Sequence, residues 1–101
     1  MIIYSVTVSI EQEIESVWLP WMLEEHLPEV MASGFFNRYD FHKIIEPVVD
    51  PDRTSYNVLY EVDSLDKLND YRRTVGPLMQ EKHMSRFGES ALAIRSVLER
   101  R

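Results

Sequence analysis

The sequence predicts an α+β protein in which an antiparallel sheet carries two helices on one of its faces. Three observations predict it. Residues 2–10 alternate in side-chain character without a break. The apolar period becomes helical after Glu11 and again after Ser64. The segments run in the order strand, helix, strand, strand, helix, strand.

The first strand sets Ile2, Tyr4, Val6, Val8 and Ile10 on one side and Ile3, Ser5, Thr7 and Ser9 on the other. From Glu11, the residues Ile14, Val17, Trp18 and Trp21 recur at helical spacing, with acids early in the run where the positive end of the helix dipole favours them. Pro20 removes one backbone donor, and Pro28 pushes Leu27 out of helical geometry. This helix is therefore expected to stop near His26 and to be followed by a short turn with Pro28 at its first position. Gly34 is expected to end that turn at positive φ. Residues 35–46 and 55–63 read as two strands joined by the turn-rich EPVVDPDRTS. Ser64 or Asp63 caps a second helix carrying Leu65, Leu68, Tyr71 and Val75, which Gly76-Pro77 interrupts. Gly88 ends it, and residues 91–98 form the last strand.

That order is the ferredoxin-like split βαβ arrangement, βαββαβ, and the chain is read as a single domain, 1–101. Tyr4, Val6, Val8, Tyr39, Phe41, Tyr56, Val58, Tyr60, Leu92 and Ile94 are expected under the helices. The opposite face then holds Ile3, Ser5, Thr7, Phe36, Arg38, Asp40, His42, Ile44, Asn57, Leu59, Glu61, Arg95 and Val97. Such a face is too apolar for water and too polar for a plain core. A second copy of the chain is its expected cover, giving a homodimer through the open sheet face.

Composition closes off several functions. There is no cysteine, hence no disulfide, thiolate metal site or thiol nucleophile. No apolar run approaches the roughly 20 residues of a membrane span, and the first ten residues lack the basic leader of a signal peptide, so a soluble cytoplasmic protein is expected. The formal charge of −6 is concentrated early: residues 1–37 contain six acids and no Lys or Arg. That surface repels phosphate backbones and anionic lipid, so neither nucleic acid nor membrane is expected as a partner. The three histidines have no close ligand spacing, and no metal or cofactor is expected.

The stretches MIIYSVTV, VWLPWM, HLPEVMASGFF, SYNVLYEV and RFGESALAIRSVLE resemble an uncharacterised bacterial family of short proteins of unknown function. The likeness spans nearly the whole chain, its most specific part being the Trp-bearing helix followed by His-x-Pro and Gly-Phe. It implies a ferredoxin-like fold of the dimeric α+β barrel type and no activity. Dimeric α+β barrels include cofactor-free monooxygenases, haem-degrading enzymes, small isomerases and ligand-binding modules, so the fold does not choose among them.

The candidate ligand-binding residues are Trp21, His26, Arg38, His42, Asn57 and Arg95. Arg38 or Arg95 could hold an anionic group while His42 acts as acid or base; the plainer reading is an ion-paired dimer interface. His26 reads as a cationic cap at a helix C-terminus, or else as a donor at a pocket mouth beside Trp21. His83, in line with Met79 and Phe87, invites comparison with the haem ligand of haem-degrading barrels. Ser5 and Thr7 in the first strand, with no Asn, and both Trp on the other helix depart from that pattern. The expected function is a homodimeric small-ligand-binding module. The alternatives are a cofactor-free monooxygenase or isomerase, a haem-degrading enzyme, or a purely structural interaction module.

Overall fold

The computed structural model describes residues 1–101. Strands β1 (Ile2–Glu11), β2 (Arg38–Ile44), β3 (Arg53–Val62) and β4 (Ala91–Glu99) form one antiparallel sheet in the order β2-β3-β1-β4. This is the ferredoxin-like arrangement, with the two helical crossovers separating strands that are adjacent in sequence but not in the sheet. β1 is central and pairs along its length with both neighbours, from Ile2↔Val62 to Glu11↔Arg53 and from Ile2↔Glu99 to Ile10↔Ala91. No helix is long and apolar enough to cross a membrane.

Paired residues in an antiparallel ladder share a face, so the register fixes what lies under the helices. Tyr4 and Val8 of β1 and Tyr56, Val58 and Tyr60 of β3 are buried there as expected, together with Ile10 and Val62. Strand β4 is the exception. Val6 pairs with Arg95 and Val8 with Ala93, whereas Ser9 and Thr7 pair with Leu92 and Ile94. Arg95 and Val97 therefore belong to the helix side, and Leu92 and Ile94, 49% and 72% exposed, to the open side. This reverses the strand phase expected from the sequence for all four, which turns the larger aliphatics inward; here the small Ala91 and Ala93 face the core. Phe36 is corrected too. β2 begins only at Arg38, and Phe36, in the loop before it, turns into the core against Tyr60 and Tyr71, at ring distances of 4.8 and 4.7 Å.

The first crossover does not end near His26. A 3-10 turn (Gln12–Ile14) leads into α1 (Glu15–Trp21), which passes through a π-helical turn (Met22–His26) directly into α2 (Leu27–Ala32). The Leu27 amide donates to the Met22 carbonyl five residues back. Proline in a helix clashes with the carbonyl four residues before it, and a wider turn immediately upstream gives that ring room. The wide turn also resets the phase. Continued at 3.6 residues per turn, the buried stripe of Trp18, Trp21 and Met22 would reach Glu25 and Glu29; with one residue taken up in the wide turn it passes to Leu27 and Val30, and both carboxylates stay exposed. Gly34 then reverses the chain at φ +82, as expected.

The second crossover is two helices. Ser64 caps α3 (Leu65–Arg73) by accepting a hydrogen bond from the Lys67 amide at 3.1 Å, and α4 (Gly76–Phe87) begins after a break at Thr74–Val75. At Gly76 a Cβ would lie 3.2 Å from the Tyr71 carbonyl oxygen and 3.3 Å from its ring, so glycine permits this close approach. Trp18, Trp21, Met22, Leu27, Val30, Leu68, Tyr71 and Met79 pack on the sheet to complete the core.

Candidate functional site

Between helices and sheet the packing leaves a cavity of about 50 Å³. Its floor is Tyr4, Val6 and Val8 of β1, Val58 and Tyr60 of β3, and Ala93 and Arg95 of β4; its roof is Met22 and His26 from the wide turn with Tyr71, Gly76, Met79, Gln80 and His83 from the second crossover. No Asp or Glu lines it. Ala93 makes room at the edge strand, and the π turn brings His26 in over Trp21, their rings stacked at 5.0 Å and 24°. His26 and Met79 also line an outer groove of about 670 Å³, with Trp21, Glu25, Lys82 and Arg86 among its walls. The two residues thus form a partition between cavity and groove.

Both imidazoles are held neutral. Burial, reinforced by His83 and against the pull of Glu29, lowers the His26 pKa to about 4, with Arg95 and Lys82 acting the same way as burial. Burial and then Arg95 lower His83. Trp18 Nε1–H donates to His83 Nε2 at 3.0 Å. An indole nitrogen only donates, so Nε2 is an acceptor and the neutral ring keeps its proton on Nδ1. Burial raises the phenols of Tyr60 and Tyr71, the latter to about 12, and Tyr4 is raised against the opposing pull of Arg95.

Arg95 is the charge of this site. The chain has eleven Lys and Arg, and eight of them, Arg38, Lys43, Arg53, Lys67, Arg73, Lys82, Arg100 and Arg101, pair with carboxylates. Of the remaining three, Arg72 donates to Asn69 and Arg86 lies over Phe87. Arg95, exposed at the edge of the cavity, is paired with no carboxylate; the Tyr4 phenol and the two imidazoles feel its charge.

The six candidate residues thus divide. Trp21, His26 and Arg95 gather at this cavity or its rim, whereas Arg38, His42 and Asn57 lie on the open face. There Arg38 is paired with Asp40 through two hydrogen bonds of 2.9 and 3.0 Å, Asn57 donates to Ser5 and Thr7 at 3.0 Å each, and His42 is exposed opposite Asn57. The expected network linking Arg95 to these groups does not form, because Arg95 projects from the other side of the sheet; Glu61 pairs with Arg100 instead. His26 caps no helix end, since the helix runs on through it. His83, outside the six candidates, joins the cavity wall, and its spacing with Met79 and Phe87 is the signal that turns it inward.

The fold and this cavity define the class: a ferredoxin-like α+β protein with a recess roofed by its two crossovers. The chain belongs to the family described as domain of unknown function DUF4286, whose profile matches residues 1–101. Its fold is shared by an ethyl tert-butyl ether d (ethd) family protein from Bacillus halodurans, 14% identical over the whole of both chains with a TM-score of 0.72. HapK from Hahella chejuensis, 11% identical over 99% of this chain and 92% of its own, also gives a TM-score of 0.72. A dimeric ferredoxin-like protein from an uncultured marine organism is 11% identical over 96% and 92% of the two chains, with a TM-score of 0.59. At these identities the likeness is one of fold alone. No curated protein matches the sequence.

Proposed function

We propose that this protein is a soluble, cytoplasmic, homodimeric small-ligand-binding module whose ligand occupies the recess between helices and sheet rather than the open sheet face. The observation that carries this reading is the convergence of His26, His83, Gln80 and Arg95 on one cavity with otherwise aromatic and aliphatic walls, the composition typical of small-molecule sites. The open face is left to dimerisation. It presents Leu92, Ile94 and Leu98 at 49%, 72% and 46% exposure, and a neighbour of the same fold is described as dimeric.

The second reading is a cofactor-free monooxygenase or isomerase. It is favoured by His26, an imidazole that lines the cavity with no hydrogen bond to the protein, so that its ring nitrogens are open to a substrate. A haem-degrading reading is disfavoured, because the Nε2 of His83 already accepts the Trp18 proton.

A thermal-shift screen of small metabolites on wild type and His26→Ala tests the binding reading. A ligand that raises the melting temperature of the wild type and loses that effect in the variant is expected; an empty screen on both counts against it. Sedimentation tests the dimer: wild type is expected at twice the chain mass and Ile94→Lys at one chain mass, with an unchanged far-UV spectrum. Equal masses for the two would remove the open face as the interface.

A further inference from the structure

We infer that the ligand is a small organic anion, a carboxylate or enolate on an apolar body, whose charge is taken by Arg95 and whose body runs past His26 toward Trp21. This rests on the binding reading above and adds the ligand's chemistry to it. Three features of the site carry it.

The first is an uncompensated cation. In a chain of net charge −6, with seventeen acids against eleven bases, the cavity wall nonetheless contains no carboxylate while Arg95 stands at it. A guanidinium binds a carboxylate through paired donors in one plane, and does so best where the surroundings are apolar. Here Tyr4, Val6, Val58 and Ala93 supply those surroundings.

The second is that Arg95 is the only cation there. The Trp18 N–H occupies Nε2 of His83, the nitrogen that would otherwise receive a second proton, and Trp18 is 0% exposed and cannot give way to water. Trp18 is thus a positioning residue that fixes the His83 ring as a neutral donor on Nδ1. The inner cavity carries a single positive charge and suits a single negative one; the charges of the groove, Glu25, Glu29, Glu81, Lys82 and Arg86, lie outside it.

The third is size. A volume of about 50 Å³ accepts a few waters or one carboxylate group, and it falls well short of the roughly 300 Å³ and more of a pocket for a whole drug-sized ligand. The body must therefore lie elsewhere. The groove of about 670 Å³ on the far side of His26 and Met79 has the room, and Trp21, Leu78 and Met79 are its apolar members.

Matched pairs of ligands test the inference: benzoate against benzamide and phenylacetate against phenylacetamide, titrated at neutral pH into wild type, Arg95→Met and Arg95→Lys and followed by calorimetry and by NMR. Each acid is expected to bind wild type at least about tenfold more tightly than its amide. Arg95→Met should bring acid and amide within about threefold of each other, and Arg95→Lys should retain part of the difference, since it keeps the charge and loses the planar fork. Arg95 is exposed on an edge strand, so both variants are expected to fold, and their melting temperatures check it. The nitrogen shifts of His83 should report the Nδ1–H form in wild type and a mixture of forms in Trp18→Phe, a change that loss of packing alone does not produce. Amides that bind wild type as well as the acids would overturn the anion inference and leave the binding reading standing. An acid preference that survives in Arg95→Met would overturn the assignment to Arg95. Absence of binding by any of the four in all three proteins would count against both.

Discussion

The two faces of strand β1 hold their polar groups in opposite ways. On the open face Ser5 and Thr7 each accept a hydrogen bond from Asn57, Arg38 is matched by Asp40 and Glu61 by Arg100. On the covered face, one residue away along the strand, Tyr4 and Val6 border a cavity where Arg95 has no carboxylate and His26 no hydrogen bond to the protein. A polar group satisfied by its own chain is accounted for by folding. One that has only water for a partner at the rim of a cavity is available to a ligand. The difference shifts the expected site from the open face to the helix side, against the impression that charge density alone gives.

Substitutions on the two faces sharpen this contrast. The largest effect is expected from Trp18→Ala, because Trp18 is 0% exposed, packs at 5.1 Å from the Tyr56 ring and holds His83. Urea unfolding should show a loss of about 3–5 kcal/mol; a loss below about 1.5 would mean that the covered side is not closely packed.

The second effect is set by pH. His26 titrates near 6.5 when unfolded and near 4 when folded, so between these values the unfolded chain binds more protons. Stability is complete above 6.5 and declines as the pH falls toward 4. His83, Arg95 and Lys82 face the ring and deepen the effect, whereas Glu29 opposes it. After allowance for the solvent that reaches this half-buried group, the loss should be about 2 kcal/mol. His26→Ala should flatten that part of the profile, and an unchanged slope in the variant would show that the imidazole is solvated.

The smallest effect belongs to the open face. Asn57→Ala removes two hydrogen bonds from a half-buried site and should cost about 1 kcal/mol in thermal melts, with the binding of any cavity ligand unaltered. A loss of binding in this variant would restore the open face as the site.

Much of the architecture was legible in the sequence. The alternation in β1 and β3 gave the correct inward set, and the order of elements gave the topology. Three local features were hidden. In β4 the apolar pattern ALAI reads equally well in either phase, and only the ladder to β1, with Arg95 opposite Val6, chooses between them. Phe36 lies just outside the strand whose alternation was applied to it. Pro28 signalled a helix end because a proline ring clashes with α-helical geometry, and the π turn removes that clash without ending the helix. The site followed these errors. Trp21 and His26 are legible as candidates, the apparent strand phase puts Arg95 on the wrong surface, and only its spacing with Met79 and Phe87 points His83 inward.

The π turn also has a consequence for descent. Such a turn is an α-helix with one residue inserted, and removal of one residue restores regular pitch while leaving the flanking faces aligned. Among relatives of this chain, the trace to look for between Trp21 and Leu27 is therefore a difference of one in length rather than a substitution. Chains with the extra residue should carry an imidazole between groove and cavity and a proline two positions after it. Those one residue shorter should have dispensed with both, and with them the partition through which a ligand would pass.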